Sequence, residues 1–215
     1  MNYILLSKHL KDTELLSKIP MHLNKSLVNL KIAYFTTAAN TYLTENNEYP
    51  NWVLAHLDEV SKSFNGASIS VLNIEDNLDK EYIKSNYDII YFAGGTAAYL
   101  VAQIKKHSFE EVIRFFLENK LYIGSSAGSV VLTKYIYPYH IVEKDCEELQ
   151  IEKNGLGILD FNIMVHWENS KYQENLKIVE AEYLKQKDSL IYLRDDEYFS
   201  TIYTINTKNA KKEGS

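Results

Sequence analysis

The chain has 215 residues, 46% of them hydrophobic and 24% charged, with a formal net charge of −6. These values exclude the disordered and fibrous classes, and the acidic balance leaves no footprint for nucleic acid or for an anionic membrane surface. One cysteine, Cys146, rules out an internal disulfide and fits a reducing compartment.

The elements follow in chain order. Tyr3 to Leu6 is a first apolar strand, and the run is too short for a signal peptide or a membrane span. No other apolar run approaches the roughly 18 residues of a span, and the chain reads as cytoplasmic. Lys31 to Thr37 is a second strand. After Pro50, Val53, Leu54, Leu57 and Val60 recur at helical spacing, and Gly66 ends that helix. Ser68 to Ile74 is a third strand. A short helix in "EYIKSNYD" leads into Asp88 to Phe92, a continuous apolar strand of the kind covered on both faces. "AAYLVAQIKKH" and "FEEVIRFFLENK" are helices, followed by the strand Leu121 to Gly124 and a helical pattern beyond it. Tyr137 to Gly155 has no period. "DFNIMV" is a strand, "KYQENLKIVEAEYLKQK" an amphipathic helix, and "SLIYLRDDEYFSTIYTI" two strands around an acidic turn. The alternation predicts an α/β fold, a mostly parallel sheet flanked by helices, in a single domain over 1–215 with a tail frayed from about 206.

Gly124-Ser125-Ser126-Ala127-Gly128 lies between a strand and a helix and matches the G-x-S-x-G elbow, with Ser126 at its centre. A sharp strand-to-helix turn needs small flanking residues, because the backbone is strained and the two elements crowd it. The helix that follows aims its free N–H groups at the same spot, so the Ala127 N–H is a natural oxyanion donor. The competing reading is an ordinary small-residue turn with Ser125 or Ser126 as a cap. On pattern alone the two stand side by side. Gly94-Gly95, after another strand, lets a backbone approach closely and offers a second N–H from Gly95. It is neither G-x-G-x-x-G nor a G-K-[ST] loop.

A serine hydroxyl needs a base. His166 ends the apolar strand "NIMV", where open α/β sheets place functional residues. The other five histidines lie in helical or irregular text, and none follows His166. The orienting carboxylate comes from Asp195, Asp196 and Glu197 after "LIYL", or from Asp160. Asp195 stands nearest the strand end and is preferred; an acidic turn that is merely solvated is the bland alternative. No spacing suits a metal, and Cys146 among acids is a poor nucleophile.

"YFAGGTAAYLVAQI", "LYIGSSAGSVVL" and "GLGILDFNIMVHWEN" resemble, in order and spacing, the dipeptidase E and cyanophycinase family of serine peptidases. The resemblance runs from Lys31 to the C-terminal strand pair. It implies a class I glutamine-amidotransferase-like sandwich, Ser126 as nucleophile, His166 as base, and an oxyanion hole from Gly95 and Ala127. The third residue varies in that family. One position matches Asp195, and another falls near Glu143 and Asp145. The resemblance implies a small-peptide substrate and no cofactor, and leaves room for a homodimer. Thr96 replaces the usual Asn, and Trp167 the usual Tyr. Preference for aspartyl peptides implies a cation, yet Arg114 and Arg194 fall in no clear specificity motif. The rival functions are a non-catalytic binder of the same fold and an α/β-hydrolase esterase, whose histidine would come after its acid.

Overall fold

The computed structural model describes residues 1–143 and 147–202. Asp145, Cys146 and the tail from residue 206 therefore lie outside the described residues.

β1 (Tyr3–Leu6), β2 (Lys31–Phe35), β3 (Ser68–Leu72), β4 (Ile89–Phe92), β5 (Leu121–Ser125) and β8 (Tyr198–Ser200) form one sheet in the order β3-β2-β4-β5-β1-β8. Its first five strands run parallel, and β8 closes the edge antiparallel to β1. β6 (Asn162–Met164) and β7 (Leu190–Tyr192) pair in parallel as a separate two-stranded sheet. The sequence places both strands correctly but not in a sheet of their own. Strands of three residues carry too little pattern to name their partner.

The apolar runs fill both faces by alternation. Tyr3, Leu5, Ala33, Phe35, Ile90, Phe92 and Tyr122 point to one side. There they meet α3 (Lys80–Asn86), α4 (Ala97–Lys106), α5 (Glu110–Asn119) and α8 (Gln173–Leu184) through residues such as Ile83, Leu100, Ile113 and Val179. Ile4, Leu6, Ile32, Tyr34, Ile89, Tyr91 and Ile123 point to the other side. They pack on α1 (Thr13–His22) through Leu15 and Ile19, and on α2 (Asn51–Ser63) through Val60. Each fully buried aliphatic or aromatic side chain contributes about 1.5–3 kcal/mol, so helices cover both faces of a mostly parallel sheet. α6 (Ala127–Val130) and α7 (Glu148–Ile151) are single turns.

Two predicted strands end early. Residues 37–42 after β2 and 74–76 after β3 curl into 3₁₀ turns. Helix α1 has no counterpart in the sequence reading. Asp12 caps it, accepting from the Leu15 N–H at 2.9 Å, and Pro20 is tolerated within its last turn.

Candidate active site

The carboxyl ends of β1, β4 and β5 lie side by side on one edge of the main sheet. The loops leaving them carry Ser7, Gly94-Gly95 and Ser126. Ser126 sits at φ 50°, ψ −112° between β5 and α6. An L-residue there costs roughly 1–3 kcal/mol and persists only where its surroundings over-determine it. Its N–H donates to Leu6 O at 3.0 Å, and its carbonyl accepts from the N–H groups of Ser129 and Val130 at 2.8 and 3.1 Å. A Cβ on Gly128 would stand 2.3 Å from Phe92 O, so α6 and β4 meet backbone to backbone. Gly95 has φ +145°, and a Cβ there would lie 2.0 Å from Ala38 O. Only glycine fits both positions.

His166 follows β6. Beyond the paired strands, the Leu193 N–H donates to Met164 O at 2.9 Å and the Trp167 N–H to Leu193 O at 3.0 Å. That extension brings the loop after β6 against the loop after β7. His166 is held at φ 60°, and its N–H donates to Ser7 Oγ at 2.7 Å. The second sheet is thereby tied to the end of β1.

Three side chains then line up. Ser126 Oγ is 2.9 Å from His166 Nε2, and His166 Nδ1 is 2.7 Å from Asp195 Oδ1. An ionised carboxylate only accepts, so Asp195 fixes the proton on Nδ1 and leaves the Nε2 lone pair facing the serine hydroxyl. Asn169 Nδ2 donates to Asp195 Oδ2 at 2.7 Å, and Ser7 Oγ donates to Oδ1 at 3.4 Å. The hydrogen bond from His166, more than the partial burial that opposes it, holds the Asp195 carboxyl down at about 2. Among the described residues the N–H groups of Gly95 and Ala127 have no protein acceptor.

The remaining predicted acids go elsewhere. Glu197 accepts from Arg194 at 2.8 Å, Asp196 and Asp160 are exposed, and Glu143 Oε1 accepts from the Ala97 N–H at 2.7 Å. The other histidines near this end of the sheet are also engaged. His56 is buried between Tyr34 (Nδ1 to hydroxyl 2.7 Å) and Tyr91 (Nε2 to hydroxyl 3.3 Å), and burial lowers it to about 4. His9 faces Glu59 at 2.5 Å, and His140 Nδ1 meets Tyr137 O. Ser7 and Asn169 were missed in the sequence. Their signal was position alone: a hydroxyl directly after a parallel strand, and an amide three residues past the candidate base.

Ser126, His166, Gly94 and Gly95 open onto a cavity of about 380 Å³, also lined by Trp52, Tyr139 and Glu143. That lies within the usual range for small-molecule sites, about 300–1,000 Å³. Among the described residues no group of His, Cys, Asp and Glu is arranged to hold a metal ion.

The model of peptidase family S51 matches residues 3–204. The chain belongs to peptidase family S51. Two uncharacterized peptidases resemble it in sequence. One, from Listeria monocytogenes, is 26% identical over 98 residues, covering 45% of this chain and 48% of that protein. The other, from Listeria innocua, is 25% identical over 124 residues, covering 54% and 59%. The chain thus spans about half the length of the curated relatives it matches. A crystal structure of a Listeria monocytogenes EGD-e protein, provisionally named peptidase E, superposes with a TM-score of 0.73 at 19% identity, covering 100% of this chain and 98% of that one. A peptidase from an acI-B1 actinobacterium gives 0.66 at 16% identity, covering 93% and 82%. These likenesses place the fold with peptidase E structures. Among the described residues no helix is long and apolar enough to cross a membrane. In this S51 chain Arg114 pairs with Glu110, and Arg194 with Glu197 and Glu168. Neither arginine lines the cavity; among the described residues the lysines that do are Lys8 and Lys171.

Proposed function

We propose that the chain is a serine-type peptidase of small peptides, resembling dipeptidase E, with Ser126 as nucleophile and His166 as general base. The observation that carries this reading is the continuous relay from Ser126 Oγ to His166 Nε2 at 2.9 Å and from His166 Nδ1 to Asp195 at 2.7 Å.

The Ser126 oxygen attacks the peptide carbonyl carbon while its proton passes to His166 Nε2. The carbonyl oxygen becomes an oxyanion and accepts from the N–H groups of Gly95 and Ala127. Such donors are worth about 2.7–4 kcal/mol each. Asp195 stabilises the imidazolium without taking its proton. Collapse breaks the C–N bond, and His166 gives its proton to the leaving amine. Water, deprotonated by the same histidine, then hydrolyses the acyl-enzyme. Lys8 and Lys171 at the cavity supply cations for the terminal carboxylate of a short peptide. No step calls for a cofactor.

A dipeptide-library hydrolysis screen tests the reading. The native protein is expected to cleave a subset of the library, and Ser126→Ala to lower the rate by at least about 10⁴-fold. Equal hydrolysis by both proteins would refute it.

A further inference from the structure

Asn169 lies at the site but takes no part in the proton relay. It stands three residues past the base, and its N–H closes a turn by donating to His166 O at 3.0 Å. Within that turn Glu168 has φ 63°, and His166 itself has φ 60°. Two residues in so sparsely populated a region persist only where their surroundings fix them. The side chain of Asn169 is anchored at both ends. Its Oδ1 accepts from the Lys171 N–H at 2.9 Å, and its Nδ2 donates to Asp195 Oδ2 at 2.7 Å. Neither partner allows the amide to flip, because a backbone N–H needs the oxygen and an ionised carboxylate needs the nitrogen.

The second anchor matters because of where Asp195 sits. Its side chain is 32% exposed, in the turn after β7, so water competes for its oxygens. The torsion that turns a carboxylate plane is soft. The bond from His166 Nδ1 at 2.7 Å holds Oδ1, and Ser7 Oγ adds a longer one at 3.4 Å. Both fall on the same oxygen and leave the carboxylate free to swing about it. Among the described residues the donor to Oδ2 is Asn169, so one loop grips both oxygens, His166 holding one and Asn169 the other. A neutral imidazole carries one proton, and the hydrogen bond made by one nitrogen decides where it sits. Asp195 held against the ring keeps the proton on Nδ1. Asp195 swung toward water releases it to Nε2, where it faces Ser126 Oγ and blocks the transfer.

We propose that Asn169 is a positioning residue: it holds the Asp195 carboxylate against His166 Nδ1 and so keeps the base in the tautomer that can accept the Ser126 proton. The kinetic consequence rests on the peptidase reading of the site; the tautomer does not.

The test compares variants of the full chain. Asn169→Ala removes the amide. Asn169→Ser keeps a hydroxyl that can accept from the Lys171 N–H, as short hydroxyl side chains do in such turns, but is too short to reach Asp195. The first readout needs no turnover. It is ¹⁵N NMR of histidine-labelled protein at pH 8, with His166 assigned by the signal lost in His166→Ala. Native protein is expected to hold the proton on Nδ1, and both Asn169 variants to show a mixture with Nε2, as Asp195→Ala does. The second readout is kcat on a dipeptide that the native protein cleaves. Both Asn169 variants are expected to lower it at least about tenfold, part of the roughly 10⁴-fold lost when an orienting carboxylate fails to set the tautomer, with KM within about threefold of native. In an Asp195→Ala background, Asn169→Ala is expected to cost less than about twofold more, since the group it acts through is gone. A native tautomer in both Asn169 variants, a kcat near native, full rescue by Asn169→Ser, or an undiminished loss in the Asp195→Ala background overturns the proposal. Failure of the peptidase reading appears separately, as native protein that cleaves no dipeptide while the tautomer still follows Asn169.

Discussion

Ser126 holds a positive φ that a serine in an ordinary turn has no reason to adopt, and its neighbour Ser125 does not share it. Ser125 Oγ instead donates to Lys8 O at 2.7 Å from a buried position. Ser125→Ala is therefore expected to cost roughly 1 kcal/mol of stability, the usual worth of a hydrogen bond, and to leave turnover within a few-fold of native. Urea unfolding and steady-state assays check both. Asp195 belongs to the same scale. Its folded carboxyl sits at about 2, below the ordinary value near 3.9. The stability it contributes is present above about pH 4 and is lost as pH falls through about 2. Asp195→Asn should flatten that part of the stability–pH curve and slow turnover by about 10⁴-fold, the loss seen when a serine triad loses its orienting carboxylate. Glu143 has the opposite sign. Its folded carboxyl lies at about 8, above the unfolded value near 4.3, so stability falls as pH rises from about 4.3 to 8. Glu143→Gln should remove that slope, which is at most about 1.4 kcal/mol per pH unit. Thermal unfolding across this window checks it. Ser126, His166 and Asp195 were legible because each comes within two residues of an apolar strand. Glu143 was visible only as an alternative acid, because its bond to the start of α4 joins residues 46 apart.

At the scale of elements, the turns depend on missing side chains. A Cβ on Gly128 meets Phe92 O at 2.3 Å, and the contact is backbone on a central strand, which cannot swing aside. Gly128→Ala is expected to cost about 1–3 kcal/mol, as overpacking does, and a lowered urea midpoint with an unchanged slope would show it. The glycines were readable as close approaches, though not which strand they approach. The long helices α2, α4, α5 and α8 were readable from spacing, since each buries one stripe. Helix α1 was not. Leu15, Leu16 and Ile19 carry the spacing, but Pro20 argues for a stop, and only the packing of Leu15 and Ile19 on the sheet shows that the helix is kept. The strands β6 and β7 were readable too, yet their pairing into a second sheet was not, because three-residue strands owe their partners to long-range packing.

At the scale of the whole molecule, the relay joins parts that are far apart in the chain. Ser7 follows β1, Ser126 follows β5, and His166 and Asp195 follow the two strands of the second sheet, which meets the first through the His166 N–H to Ser7 bond. Alternating strand and helix text made the parallel sheet legible. The strand order was not, because order is set by which crossovers pack, and local pattern does not record that. The central claim is that this convergence activates Ser126. The most direct measurement is labelling with a fluorophosphonate probe, with the adduct located by tandem mass spectrometry. A single adduct on Ser126 is expected in the native protein, none in Ser126→Ala, and a labelling rate at least about 10³-fold lower in His166→Ala. An adduct on another residue, or equal labelling without His166, would contradict it.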